Sequence, residues 1–514
     1  MNTQLWLEPT LARWAVRKAF WDALGALKFA ANRPAQIPIP KAFGRKLVPT
    51  SLAVAEPNIP VPRVLVADHV PADEAQPLKV AFYDVQVALY SLFSPMQAGL
   101  PPIAAEPARA LAGAYGPLQR HFFPAPVRPA EFAAEVDLGR LAIASPYACY
   151  LRQAGGGRFE WDFRELDAFE RHAGLAPIGA RVSFRLDAQR RNLIAELIEC
   201  SLGRIDPSHA QWREAQRLAL CGATTHLSLI RHFGGVHLAA GGPFAMASRN
   251  TLRSTHPLLR LIWPHFYGTQ YSNQIVTRGQ MAPGGDFETI FSFTHRGMCE
   301  LFDASQLRYD LGVLDPERDA ARRGVLNAGF DTPALDNRRR LFGVIHAHTE
   351  RYLSLYYRDA AELGADAEVQ AWLRELERLI PNGLGTSLGP NPGVTEFSRL
   401  VAMFIYLASV EHEIVGTGLW NYQLWSDIQP VRIQANGARE PLDVYQRLVN
   451  ANFNLNVQRA PLQQDFSYLA LDARGAEAMR TFQGELDELQ ALLDQEPNEP
   501  WKICPRILEA NINA

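Results

Sequence analysis

His232 and His237 lie five residues apart in the apolar run LIRHFGGVHLAAGG, and no regular helix lets two such side chains face one point. An α-helix turns roughly 100° per residue, so positions five apart point about 140° away from each other. Only a local widening of π type brings them to a common side, and such widenings gather at functional sites. Gly234 and Gly235 between the pair ease the distortion, because glycine lacks the Cβ that restricts the backbone. Imidazole suits zinc, copper, iron and nickel alike, so spacing names no metal and leaves ordinary core histidines open as a reading.

The surrounding chain carries the same helical character. Apolar residues recur every three or four positions over 78–94, 210–238, 338–359, 366–380, 394–417 and 474–494, which predicts helices there. In the last of these Met479, Phe482, Leu486, Leu489 and Leu493 form one stripe, with Glu485, Asp487, Glu488 and Gln490 outside it, the pattern of a surface helix against a core. From Ala31 to Pro71 the segments PIPIPKAF and PNIPVPRVL favour extended chain wrapping a surface. Strand-like alternation is scarce and no repeat is present, so the expected fold is mainly α, a large helical body with minor β. At 514 residues and 47% hydrophobic, the chain has material for one large core or two to three domains.

Charge and cysteine usage exclude several classes. A net charge of -3 leaves no basic footprint, so nucleic acid is not an expected partner. Five cysteines without a CxxC pair argue against a disulfide framework and for a reducing, cytoplasmic location. The first 29 residues mix Trp14, Phe20 and Trp21 with Arg17 and Lys18 at helical spacing. This predicts a helix docked on the protein's own core, with no signal peptide or transmembrane segment. GPNPG and PGGD read as turns rather than phosphate loops. His346 and His348, two apart, cannot chelate together from one helix and are expected at exposed positions.

The residues around the histidine pair resolve the open reading. The stretch THLSLIRHFGGVHLAAGGPFAMASRNTLRSTHPLLRLIWPHF resembles the lipoxygenase signature, in which histidines so spaced are followed by a Pro-Phe segment, then HP and PHY or PHF. RYDLGVLDPERDAARRG, SLYYRDAAELGADAEVQAWLRE and EFAAEVDLGRLAIASPY resemble further family segments, so the similarity runs from about residue 130 to the last. It implies a lipoxygenase-like catalytic region over 126–514, with 1–125 as an N-terminal helix and proline-rich wrapping segment of the same body. That arrangement lacks an N-terminal β-barrel, as in bacterial members.

By the same resemblance the metal ligands are His232, His237, His412 in MFIYLASVEHEIVG, and the terminal carboxylate of Ala514 in ICPRILEANINA. An α-carboxyl is ionised at neutral pH. Ile507, Leu508 and Ile512 are suitable anchors for that tail. Glu411 and Glu413 sit about 100° either side of His412 on a helix and are expected to face other partners or solvent. His256 and His265 match histidines of the family that are structural. The implied cofactor is iron (Fe2+/Fe3+). The implied reaction removes a hydrogen atom from the doubly allylic CH₂ of a polyunsaturated fatty acid or similar lipid and adds O₂ to give a hydroperoxide.

Three positions depart from the family. Gly416, one helical turn beyond His412, stands where the family has Asn, His or Ser. Leu419 replaces a cavity-lining Gln, and Val276 replaces the Ala or Gly that governs where oxygen attacks. These changes keep a second expectation alive: a divergent iron oxygenase on the same scaffold, acting on a different small molecule in specialised metabolism.

Overall fold

A computed structural model describes residues 36–75, 128–437 and 460–512, apart from positions 134, 188, 190, 390–391, 417–418, 424 and 426. The expected helices over the first 29 residues and over 78–94 lie outside the described residues, as does Ala514.

Helices dominate. The chain forms α1 (Trp212–Thr225), α2 (Gly242–Thr251), α3 (Pro257–Phe266), α4 (Thr269–Ile275), α5 (His295–Gln306), α6 (Pro333–Leu353), α7 (Ala367–Leu379), α8 (Val394–Tyr406), α9 (His412–Val415) and α10 (Ala473–Leu493), with shorter pieces between. Local sequence explains several boundaries. The Asp366 side chain accepts from the backbone N–H groups of Glu368 and Val369 at the start of α7. Asp472 accepts from Gly475 at the start of α10. Such caps satisfy N–H groups that a helix start leaves without an intrahelical acceptor.

The packing follows the apolar stripes. The five residues of the α10 stripe are all buried, and α10 lies against α6, which in turn packs along α8. Phe244 of α2 stacks on Phe404 of α8 at 4.5 Å, and Trp372 of α7 donates to Ser248 Oγ at 3.0 Å. These contacts set α2 and α8, the neighbours of the histidine segments, into one core. Among the described residues no helix is long and apolar enough to cross a membrane.

The proline-rich segment is extended where described. Strand β1 (Pro49–Ser51) pairs antiparallel with β2 (Leu65–Ala67) around a helical turn at Leu52–Ala55. A larger sheet was less visible in the sequence. Strands β3 (Arg152–Gly155), β4 (Arg158–Asp162), β5 (Arg181–Asp187), β6 (Asn192–Cys200) and β7 (Gly203–Ile205) form an antiparallel meander in chain order. Phe159, Trp161, Val182, Phe184 and Ile198 line its buried side. Glu160 binds Arg152 at 2.8 Å and Arg181 at 2.6 Å across neighbouring strands. Paired charges of this kind replace the simple polar residues that make strand alternation easy to read.

His348 departs from its expected exposed position. It is buried, stacked on Phe482 of α10 at 4.1 Å with an interplanar angle of 11°, while His346 is half-buried. Helix α6 is covered on more than one side, so a polar residue beside its main stripe still meets a neighbour. Burial depresses the pKa of His348 to about 3, and burial likewise takes His265 to about 4. Both are below the ordinary histidine value, so their contribution to stability is present above pH 6.5 and is lost as pH falls from there toward 4. Each proton taken up on unfolding costs about 1.4 kcal/mol per pH unit in that window. His348→Phe keeps the stacking and removes one such proton. Denaturant titrations between pH 6.5 and 4 should show a shallower loss of stability in the variant, and an unchanged slope would refute a neutral buried His348.

Candidate metal centre

Helix α1 runs without a break into a π-helical segment, His226–Gly241, that carries both histidines of the pair. The backbone N–H of Gly242 reaches the carbonyl of His237, five residues back, the bond that defines this winding. Glycine is required at its end. A Cβ on Gly241 would lie 2.6 Å from the Val236 carbonyl oxygen and 2.5 Å from Ile512 Cδ1. A second π segment, Leu407–Glu411, delivers His412, whose backbone N–H bonds to the Leu407 carbonyl. Within this segment the Ser409 hydroxyl donates to the Ile405 carbonyl at 2.7 Å, a side-chain bond that competes with the regular ladder.

The three histidines meet. His232, His237 and His412 are all buried, and each offers a ring nitrogen within 4.8 Å of the others. The Nε2 atoms of His237 and His412 are 3.3 Å apart. Neighbouring donors around one ion are separated by about 3 Å when metal–nitrogen bonds are about 2.1 Å. Neither ring nitrogen of His232 meets a hydrogen-bond partner among the described residues. A buried polar atom left so is costly, and a metal ion is the ligand that would satisfy it.

Electrostatics favour the same reading. Burial holds His232 and His412 well below the usual histidine pKa, reinforced for His232 by His412 and His237 and for His412 by His237, and burial takes His237 to about 4. All three are therefore neutral at physiological pH, the form in which imidazole binds metals. Asn273 of α4 orients His237. Its Oδ1 lies 3.2 Å from Nδ1, so the ring donates there and turns Nε2 toward the other histidines, while Asn273 Nδ2 donates to the His237 carbonyl at 2.9 Å. The donor set fits a transition metal, iron included.

Glu411 is buried and does not face solvent. It binds Arg231 at 2.6 Å and Arg338 at 3.4 Å. Burial raises its pKa, and the two guanidiniums more than offset this, leaving it lowered. Glu413 is also buried. The tail reaches the site from another side: Ile512 and Leu508 are buried, Ile507 is half-buried, and the Ala510 carbonyl lies 2.8 Å from His265 Nδ1. His256 caps α3 and lies 3.0 Å from Asp366.

Gly416 follows α9 directly, and its N–H bonds to the His412 carbonyl at 2.9 Å. Leu419 is wholly buried, and Val276 opens a third π segment, Val276–Gln280. Asn273 and the Arg231–Glu411–Arg338 cluster escaped the sequence reading. They join positions far apart in the chain and carry no periodic or motif signal.

Comparison with known proteins decides the family. The lipoxygenase family model matches residues 169–466, more than half of the chain. The chain belongs to the lipoxygenase family. A linoleate 9/13-lipoxygenase of Pseudomonas aeruginosa is 25% identical over 247 residues, 45% of this chain and 35% of that protein. The matched stretch thus spans about a third of that relative's length. A calcium-dependent 11R-lipoxygenase structure aligns over 90% of this chain and 78% of its own with a TM-score of 0.72 at 15% identity. A lipoxygenase solved anaerobically with arachidonate covers 90% and 79% with a TM-score of 0.70 at 14% identity. The helical body described above therefore has the lipoxygenase fold.

Replacing Asn273 by Ala frees the His237 ring and should lower metal affinity roughly 10- to 100-fold, the usual cost of losing an orienting partner. Competition with a chelator measures this. Equal metal retention in the variant would show that Asn273 does not orient a ligand.

Proposed function

We propose that this lipoxygenase is a non-haem iron dioxygenase acting on a polyunsaturated fatty acid or similar lipid. It would remove a hydrogen atom from a doubly allylic CH₂ and add O₂ to give a hydroperoxide. The observation that carries the proposal is the convergence of three buried, neutral imidazoles from two π-distorted helices inside a lipoxygenase fold. His232, His237 and His412 would hold the iron, with the carboxylate of Ala514 as a fourth protein ligand. Iron bound there supplies the one-electron redox chemistry on which the hydrogen-atom removal depends.

The chain's own residues set the conditions for that chemistry. Phe233 stacks on His232 at 4.4 Å and on His237 at 5.2 Å, and meets Phe287 at 4.5 Å. This aromatic wall excludes water from one side of the imidazoles. Gly416 and Leu419 offer no polar side chain where the family has one, so the centre keeps an additional position for water or substrate, and the adjoining surface is apolar. By the family's pattern, a valine at position 276 in place of Ala or Gly would narrow or redirect the route of oxygen to the substrate. The fatty-acid activity named for the relative from Pseudomonas aeruginosa supports this substrate class over a different small molecule.

The decisive experiment incubates the iron-loaded protein with linoleate and follows oxygen uptake and conjugated-diene absorbance. Both should rise for the unaltered protein and vanish in His412→Ala. No product from any polyunsaturated acid, with iron bound, would overturn the proposal. The tail has its own test. Extending the chain by a short tag after Ala514 moves the carboxylate without touching the π segment, and iron content should fall several-fold with the helical content unchanged. Full iron occupancy in that variant would remove Ala514 from the ligand set.

A further inference from the structure

The π segment has a second face, turned away from the three histidines, and it borders a cavity of about 200 Å³. None of the three histidines lines this cavity. Its walls come from the π segment, α5 and the loop that follows it, Tyr150, Glu165 and Phe169 from earlier in the chain, and Leu407 and Glu411 of the second π segment. Gly234 and Gly235 form one wall. A Cβ on Gly235 would touch the Tyr309 ring at 3.5 Å, and one on Gly234 would touch Ser305 Oγ at 3.5 Å, so two adjacent glycines leave the space open.

Most of the lining is apolar, including Phe169, Ile230, Leu301 and Val313. Against it stand three polar groups that the fold buries without satisfying. Arg231 spends Nε on Glu411 at 2.6 Å, yet its Nη2 meets no hydrogen-bond partner among the described residues. The Tyr309 hydroxyl and Gln306 Oε1 are left in the same condition, and Gln306 is only 3% exposed. Buried polar atoms normally find partners, and three without them around one cavity mark a place built for a ligand.

The chemistry of that ligand can be read from the groups. Arg231 Nη2 and the Tyr309 hydroxyl are donors, so the ligand presents an acceptor. The other charged side chains of the lining are paired, Arg308 with Glu165 and Asp310 with Arg322, while two guanidiniums, Arg231 and Arg338, share the single carboxylate of Glu411, which leaves one positive charge in excess at this end. An anion neutralises it, and a carboxylate matches the planar fork of arginine. The volume limits the rest, since an apolar cavity of about 150 Å³ holds benzene.

We propose that this cavity is a second binding site, separate from the metal centre, for a compact monocarboxylate with an apolar body. The carboxylate docks on Arg231 and Tyr309, and Gln306 Oε1 accepts from a ligand hydroxyl or a water at the same end. Occupancy braces the π segment from behind, so the ligand acts on the helix that carries His232 and His237.

Calorimetric titration of the full protein with phenylacetate tests this. Saturable one-site binding is expected, at least ten-fold tighter than for the neutral 2-phenylethanol. Tyr309→Phe deletes one hydrogen bond to a charged group and should weaken binding roughly ten-fold. Ala304→Trp fills the cavity and should abolish binding, with folding checked by circular dichroism. Binding should survive removal of metal by a chelator, which separates this inference from the proposed iron site. Absence of binding, equal affinity in Tyr309→Phe, or loss of binding on chelation would each overturn it.

Discussion

The i→i−5 hydrogen bonding of His226–Gly241 is the constraint on which the site depends. With regular winding, His232 and His237 would diverge and one of them would leave the common point. The wider turn is less well packed along its own axis, and it persists because the surroundings fix it. Helices α1 and α2 continue it at both ends, α5 packs along it, and Ile512 occupies the space above Gly241. The second π segment repeats the device one helix away. The wider winding of two adjacent helices therefore serves a single purpose, the convergence of three imidazoles.

The charged residues next to these histidines have a different role. Arg231 precedes His232 and Glu411 precedes His412, and the two side chains bind each other at 2.6 Å. Arg338 of α6 completes the cluster. Removing charges from water is expensive unless each is paired, and a carboxylate 1% exposed persists only because two guanidiniums face it. The cluster thus locks the two histidine-bearing segments in register with each other and with α6. It also takes Glu411 out of competition for the metal.

Much of this was legible in the sequence. The spacing of His232 and His237 demanded a π distortion, and one is present over sixteen residues. Five of the six predicted helices fall among the described residues; those at 366–380, 394–417 and 474–494 match to within two positions because their apolar stripes face one core, that at 338–359 is displaced from Pro333–Leu353, and that at 210–238 starts at α1 but continues to Thr251. The reading failed where position depends on partners distant in sequence. His348 lies off the main stripe of α6 and is buried only because α10 covers it. The meander β3 to β7 hides its alternation behind paired arginines and glutamates. Asn273 is unremarkable in sequence and acquires its role only when α4 lies beside the π segment.

Charge balance completes the account of the centre. Three neutral imidazoles leave a bound divalent or trivalent ion with its full charge inside an apolar core, a situation that calls for an anionic donor. Among the described residues no carboxylate joins the three histidines within reach of a common ion. Glu411 is held by its two arginines, and helix geometry places Glu413 about 100° around from His412. The tail leading to Ile512 is buried, bonded through the Ala510 carbonyl to His265, and packed on the π segment at Gly241. That is why the carboxylate of Ala514, rather than a side chain, is the proposed fourth ligand, and why a glycine at 416 can be tolerated so close to His412.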